Sequence, residues 1–437
     1  MSHNNSWYQL DNAAKMFPST ALGADTKVFR IACELNESIL PEPLQTALEY
    51  TAAAFPHFGC ILKRGLFWYY LEERDIRPQV SPDDLPPCSP LYVPGRKNLL
   101  YRVTYYRNRI NLEAFHVLAD GTGAFDFLRE LLIQYLSLVH SLPLPAKDTS
   151  SASLTEKSSD AFDFFYDRKV TRDDIRDLTG KRAFQLHEAP DENYHCHLLE
   201  GTVSSAAFLE AAHKYDTTAG VLSCSLLIES ILGQIRPSGR KHPVIVSIPV
   251  NLRKYFPSET ARNFFGVINV AYDPAGSSGT LPDILETVRS SFEAQLTKES
   301  IEKSMNSYAR LEHNPFIKIV PLFIKDPVVS YFYARGRKGV TCTISNLGRI
   351  SVPAPYAQYI HHFVPFMTSA SLTMCMCSFG DVLAMGTASG YRTNNTMLAF
   401  YRKLNELGIS AEIASNDHEA AGPQGSGIPA ENTKGEE

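Results

Sequence analysis

The chain has no apolar run long enough to cross a bilayer, no charged-then-apolar leader, and no block of Lys or Arg within its mixed charge. A spanning helix needs about 20 consecutive apolar residues, so no transmembrane segment is expected. Without a secretory leader, the expected location is the cytoplasm. The formal net charge is -5, from 42 Lys and Arg against 47 Asp and Glu. That sign does not suit a polyanion-binding surface, so no nucleic-acid partner is expected. The most apolar stretch, residues 317 to 333, is broken by Pro321, Lys325, Asp326 and Pro327. Burial is its expected fate, with attachment to a membrane surface as the alternative.

Close-set cysteine pairs are also missing. The eight cysteines stand at 33, 60, 88, 196, 224, 342, 375 and 377, with no C-x-x-C, a scatter that suits reduced thiols. Cys375 and Cys377 would share one strand face as packing residues. There is no G-x-G-x-x-G, no Walker loop, no H-E-x-x-H and no G-x-S-x-G. These absences remove the common nucleotide, zinc-protease and serine-hydrolase chemistries. His195 and His197 would face the same side of a strand, but no third ligand accompanies them, and no metal is expected.

What is present is 437 residues, 44% of them hydrophobic, enough for two domains with substantial cores. Apolar periodicity predicts strands at 28–35, 57–63, 66–72, 99–106, 110–117, 195–203, 244–249, 264–271, 341–344, 369–377 and 382–387. It predicts helices at 41–54, from about 125 to 138, and at 205–213, 218–235, 281–296 and 396–407. Residues 7–17 read as an ordered lead-in with a short helix, and the proline-rich stretch 78–94 as loop or edge. Residues 141–160 read as an exposed connection, and 161–186 as short crossing helices. The order is mixed rather than regularly alternating, which favours α+β layers over a doubly wound parallel sheet. The expected division is 1–190 and 191–414, the second half repeating the first in outline, with 415–437 as a disordered tail.

The segment 112–128, LEAFHVLADGTGAFDFL, delivers His116 from an apolar strand into a glycine-containing turn and then a helix. Phe115, Val117 and Leu118 would limit its contact with water, keeping the imidazole neutral as a general base requires. Asp120 could hold the loop through an arginine, while Gly121 and Gly123 would allow backbone angles that other residues resist. The bland alternative is a core histidine beside a turn. One His and one Asp four apart do not decide between them.

Further stretches add weight: WYQLDNAAKMFP at the start, RGLFWYYLE at 64–72, IPVNLRKYFPSETARNFFG at 248–266 and TISNLG at 343–348. With AFHVLADGTGAFDFL and its H-x-x-x-D-G pattern, the chain resembles the chloramphenicol acetyltransferase-like superfamily. That superfamily includes peptide-synthetase condensation domains, plant BAHD acyltransferases and wax ester synthases, and the resemblance is greatest to the bacterial alcohol acetyltransferase group. It implies a pseudodimer of two α+β halves facing across a central channel, with the histidine midway along it.

Carried over by residue, His116 is the base, Asp120 the structural anchor and Gly121 the turn residue. Arg253 is the expected partner of Asp120, with Arg262 as second choice. Ser345 and Asn346 are candidates to line the channel, or simply turn formers. Phe115 stands where condensation domains usually carry a first histidine, which favours a coenzyme A thioester over a carrier-bound donor. The implied activity is transfer of an acyl group from acyl-CoA to a small-molecule alcohol or amine, by a monomer with no permanently bound cofactor. The alternatives are a condensation-type or non-catalytic domain that docks a carrier or partner protein, and a structural protein in which the motif is coincidental.

Overall fold

The computed structural model describes residues 6–145, 182–192, 196–235, 241–312, 319–369 and 371–416. The first half contributes β1 (Trp7–Gln9), β2 (Val28–Leu35), β3 (Cys60–Arg64), β4 (Tyr69–Glu73), β5 (Val80–Pro82), β6 (Tyr101–Tyr106) and β7 (Arg109–Phe115). The second contributes β8 (His197–Ser204), β9 (Val244–Asn251), β10 (Phe265–Tyr272), β11 (Cys342–Arg349), β12 (Ile360–Met367), β13 (Leu372–Phe379), β14 (Val382–Ser389) and β15 (Glu412–Ser415). They form a five-stranded sheet in the order β12-β2-β7-β6-β5, a seven-stranded sheet β10-β9-β11-β13-β14-β8-β15, and a small sheet β1-β4-β3.

The first core forms where Pro41–Ala54 and Gly121–His140 lie on the five-stranded sheet. Leu44, Ala47 and Leu48 of one helix and Leu128, Leu131, Leu132 and Tyr135 of the other share a single buried cluster. Each fully buried leucine contributes about 1.5–3 kcal/mol, so this face holds the scaffold under the motif. The second core is built around Ala219–Leu232, whose Val221, Leu222, Leu226, Leu227, Ile228 and Ile231 are all buried. A helix apolar nearly all round has to be covered on every side. Leu281–Gln295, Asn395–Glu406 and the seven-stranded sheet supply that cover.

Two features depart from the expected division. Strand β12, which the periodicity did not reveal, comes from the second half of the chain but pairs antiparallel with β2 of the first, Phe363 opposite Cys33 and Pro365 opposite Ile31. It also crosses the seven-stranded sheet so closely that a Cβ on Gly386 would lie 2.0 Å from the Pro365 carbonyl oxygen. The boundary near 190 therefore does not separate the sheets, because the first sheet needs residues 360–367. In addition, Ser415, placed in the expected tail, ends β15 on the edge of β8. Residues 417–437, His195, and most of the stretches 141–160 and 161–186 lie outside the described residues.

The apolar stretch after 317 is not buried as expected. It forms the helix Leu322–Gly336, in which Phe323, Val328, Tyr331 and Phe332 are exposed and Leu322 is buried. Polar contacts anchor its inner side: Asp326 accepts from Ser19, Arg64 and Tyr69, and Tyr333 donates to Asp25. No described helix is long and apolar enough to cross a membrane. All eight cysteines are free thiols, Cys375 and Cys377 buried among them. His197 is paired with Asp191, Nε2 to Oδ2 at 3.0 Å.

Candidate active site

Strand β7 ends at Phe115, and His116 extends its backbone bonding by donating its N–H to Lys27 O at 2.9 Å. The chain then turns, and Asp120 caps the helix Gly121–His140 by accepting from Gly123 N at 3.0 Å. An aspartate there satisfies a donor that the first helical turn leaves open. The histidine is thus fixed between a paired strand end and a capped helix start.

The imidazole lies among Phe17, Phe29 and Phe265, with ring centroids 4.8, 5.1 and 5.7 Å away. Its Nδ1 is 2.9 Å from Asn263 Oδ1. The Asn263 amide nitrogen donates to His116 O at 2.9 Å and to Asp11 Oδ2 at 3.0 Å. These two acceptors set the orientation of the amide, and an amide oxygen can only accept, so Nδ1 carries the ring proton. The lone pair is left on Nε2, which has no hydrogen-bond partner among the described residues, in a residue that is half-buried. Burial lowers the His116 pKa below its usual 6.5, against the hydrogen bond to Asn263 and the nearby charge of Asp120. The ring is therefore neutral near pH 7, with Nε2 free to take a proton.

Asp120 Oδ2 accepts from Arg253 Nη1 at 2.7 Å and from Phe264 N at 2.9 Å. Arg253 spends its other donors on backbone carbonyls, reaching Thr260 O at 2.9 and 3.1 Å and Arg262 O at 2.6 Å. The pair thus fastens the 260–264 loop, and that loop carries Asn263. Asp120 acts on the histidine at one remove, through Arg253, the loop and Asn263. Arg262, the second choice, is turned the other way, donating to Gln9 O at 2.6 Å and lying 3.6 Å from Asp11. Burial raises the Asp11 carboxyl above the usual carboxylate range, against Arg262 and the bonds from Asn263 and Ala14.

The two glycines serve a purpose other than the expected one. Neither Gly121 nor Gly123 has a positive φ. A Cβ on Gly123 would lie 1.8 Å from Ala261 O, and one on Gly121 would lie 2.7 Å from Leu347 Cδ2. Close approach, not backbone angle, requires glycine here. Leu347 belongs to the TISNLG stretch, whose strand β11 therefore ends against the motif helix. Asn346 is exposed and accepts from Gly348 N at 2.8 Å, and Gly348 has φ 77, the arrangement of a turn former. No hydrogen bond joins Ser345 or Asn346 to His116. A cleft of about 390 Å³ opens beside Arg253, lined by Thr122, Asp126, Pro257, Ser258 and Glu259, and His116 is not in its wall.

Asn263 and Asp11 are the site residues that the sequence did not single out. Both lie in stretches already noted, IPVNLRKYFPSETARNFFG and WYQLDNAAKMFP, but an asparagine ten residues past an arginine carries no chemical signature of its own.

No family model matches the chain, and no curated protein matches it. Solved structures do. Polyketide synthase associated protein 5 from Mycobacterium tuberculosis matches 92% of this chain and 98% of its own, at 13% identity and a TM-score of 0.62. TRI3 trichothecene 15-O-acetyltransferase from Fusarium sporotrichioides matches 93% and 95%, at 12% identity and a TM-score of 0.59. The first condensation domain of the calcium-dependent antibiotic synthetase, in complex with a substrate analogue, matches 92% and 96%, at 12% identity and a TM-score of 0.62. The chain therefore has the fold of condensation and chloramphenicol acetyltransferase-like domains, with two α+β halves along nearly its whole length.

Proposed function

We propose that the protein is an acyltransferase that moves an acyl group from a coenzyme A thioester to a hydroxyl or amine acceptor, with His116 as general base. The observation that carries the reading is the bond from His116 Nδ1 to Asn263, which leaves Nε2 unprotonated in an apolar setting. The fold supports it, since an O-acetyltransferase and a condensation domain are both built on it.

In the proposed reaction, Nε2 takes the proton of the acceptor O–H or N–H as that atom attacks the thioester carbonyl carbon. The C=O electron pair moves onto oxygen to give a tetrahedral oxyanion. Collapse re-forms the carbonyl and breaks the C–S bond, and the imidazolium returns its proton to the departing thiolate. No covalent enzyme intermediate and no metal is needed. General-base assistance of this kind is typically worth about 10²–10⁴-fold. Asp120 and Arg253 are positioning residues, because they touch the loop rather than the ring. Ser345, on the strand that ends against Gly121, remains the candidate to line the approach, with Asn346 at its turn. The acting species is proposed to be a monomer.

The test is release of free thiol from a panel of acyl-CoAs in the presence of alcohols and amines. Acyl-dependent release that needs an acceptor and is lost in His116→Ala supports the reading. Normal turnover in His116→Ala would remove it. No release with any donor, together with a stable complex with a carrier protein, would favour the condensation-type alternative.

A further inference from the structure

A second group of titratable side chains lies far from His116, at the other end of the same strand pair. Val28 faces Phe115 at the motif end of β2 and β7, while Glu34 faces Arg109 at the far end. Six residues of extended chain separate the ends, roughly 20 Å at about 3.3 Å per residue. Next to Glu34, β12 has an irregular register: Ile360 pairs with Leu35 and His362 with Glu34, so His361 is an extra residue. Adjacent strand residues normally point to opposite faces, but a bulge re-aims them. Here it brings the two imidazoles together, His361 Nδ1 lying 2.8 Å from His362 Nδ1. Glu34 Oε1 lies 3.9 Å from His361 Nδ1, and the three donor atoms fall within 4.8 Å of one another.

We propose that Glu34, His361 and His362 form a binding site for a zinc-type divalent cation, joining β12 to β2 where the two sheets meet. The protonation pattern supports it. His362 Nε2 is 2.7 Å from Glu200 Oε1, and a carboxylate can only accept, so Nε2 carries a proton and Nδ1 is the nitrogen that faces His361. A ligating histidine whose outer nitrogen donates to a carboxylate is the usual second shell of a metal site. That carboxylate is itself held, since Arg109 donates to Glu200 at 2.8 and 3.1 Å and to Glu34 Oε2 at 2.7 Å. Arg109 thus occupies one oxygen of Glu34 and leaves Oε1 for the cation.

Two nitrogens and one carboxylate oxygen suit zinc or a neighbouring transition metal better than calcium or magnesium. With Zn–N distances of about 2.0–2.1 Å in a tetrahedral site, the two nitrogens would stand about 3.3 Å apart. The exposed His361 ring, its side chain 57% accessible, is free to make that small adjustment. Its exposure also leaves a fourth position open to water. Because Glu200 sits on β8 of the seven-stranded sheet while the ligands sit on the five-stranded one, a bound cation would clamp one sheet to the other. The site would be structural, remote from the transfer chemistry.

The experiment is calorimetric titration of chelator-stripped full-length protein with ZnCl₂, with thermal unfolding in parallel. The wild type is expected to bind one equivalent tightly and to melt at a higher temperature with zinc. His361→Ala, which removes an exposed ring, is expected to lose that binding and the zinc-induced rise. Glu200→Gln, which alters only the outer shell, should weaken affinity roughly 10–100-fold. Co²⁺ should give visible ligand-field bands in the wild type and not in His361→Ala. Equal zinc affinity in the wild type and His361→Ala, or no one-to-one binding by the wild type, would overturn the site. Because His361→Ala should transfer acyl groups at the wild-type rate, loss of the metal site and loss of the transferase reading are separate results.

Discussion

Strands β2 and β7 present a neutral imidazole at one end and a charged cluster at the other. At the His116 end, three phenylalanines surround one imidazole, and burial lowers its pKa. At the Arg109 end, Glu34, Glu200 and His362 gather around a guanidinium, which with the His362 bond outweighs burial and holds the Glu200 carboxyl down at about 2. One ladder of backbone bonds supports both ends. The contrast shows that the charge state of a group here is set by the side chains delivered from other segments, Phe17 and Asn263 at one end and Glu200 and His362 at the other. The strand pair supplies position, and its partners supply chemistry.

The largest effect should come from breaking the neutral end. His116→Ala should lower kcat by about 10²–10⁴-fold, while the melting temperature, and donor binding by calorimetry, stay near wild type. The anchors come next, and here the two ends should separate. Asp120→Asn or Arg253→Ala breaks a largely buried pair and should cost roughly 3–5 kcal/mol of stability by denaturant unfolding, with activity falling because the 260–264 loop loosens. Arg109→Met should cost about 3 kcal/mol, the lower end of that range because the pair is partly exposed. Its folded fraction should turn over at the wild-type rate. If Arg109→Met lost activity in proportion to Arg253→Ala, the two ends would not be independent.

A smaller effect is expected from Asn263→Ala, which removes the acceptor that fixes the ring tautomer. Losing a hydrogen bond of about 1–1.5 kcal/mol should reduce kcat roughly tenfold with little change in KM. The smallest concerns pH. Because the folded-state pKa of His116 lies below its unfolded value, the unfolded chain binds more protons between the two, and stability from this group rises with pH up to about 6.5. The acid limb of kcat/KM should have its midpoint below 6.5 for the same reason.

Much of this was legible in the residues themselves. Pro41–Ala54 stands where the apolar pattern puts it because Leu44, Ala47, Leu48 and Thr51 keep a helical spacing against one layer, and Val28–Leu35, though buried on both faces, is a continuous strand-forming run with no proline or bulge. Strand β12 escaped notice because it is sandwiched and also irregular. Its residues from 362 to 366 are all buried, so it lacks the alternation of a one-faced strand, and Pro365, the paired histidines and a bulge disguise it further. The exposed face of Leu322–Gly336 was hidden for the opposite reason, since apolar content alone does not say which residues a few polar anchors will leave outside.

At the site, the strand-to-helix mount of His116 followed from the local pattern. The pairing of Asp120 with Arg253 followed only from the family resemblance, the two being 133 residues apart. Asn263 was missed because its role depends on three segments meeting in space, Asp11, His116 and the 260–264 loop. Gly123 was correctly marked as special but for the wrong cause, since the Ala261 carbonyl that excludes a side chain lies in another segment.

The central claim is that His116 is held neutral with its proton on Nδ1 and its lone pair on Nε2. Nitrogen-15 NMR of the histidine rings, with His116 assigned by comparison with His116→Ala, measures both properties directly as pH is varied. The account predicts a protonated Nδ1 and an unprotonated Nε2 at pH 7, with the ring gaining its second proton only below about 6.5. A proton on Nε2 at pH 7, or a titration midpoint above 6.5, would contradict it.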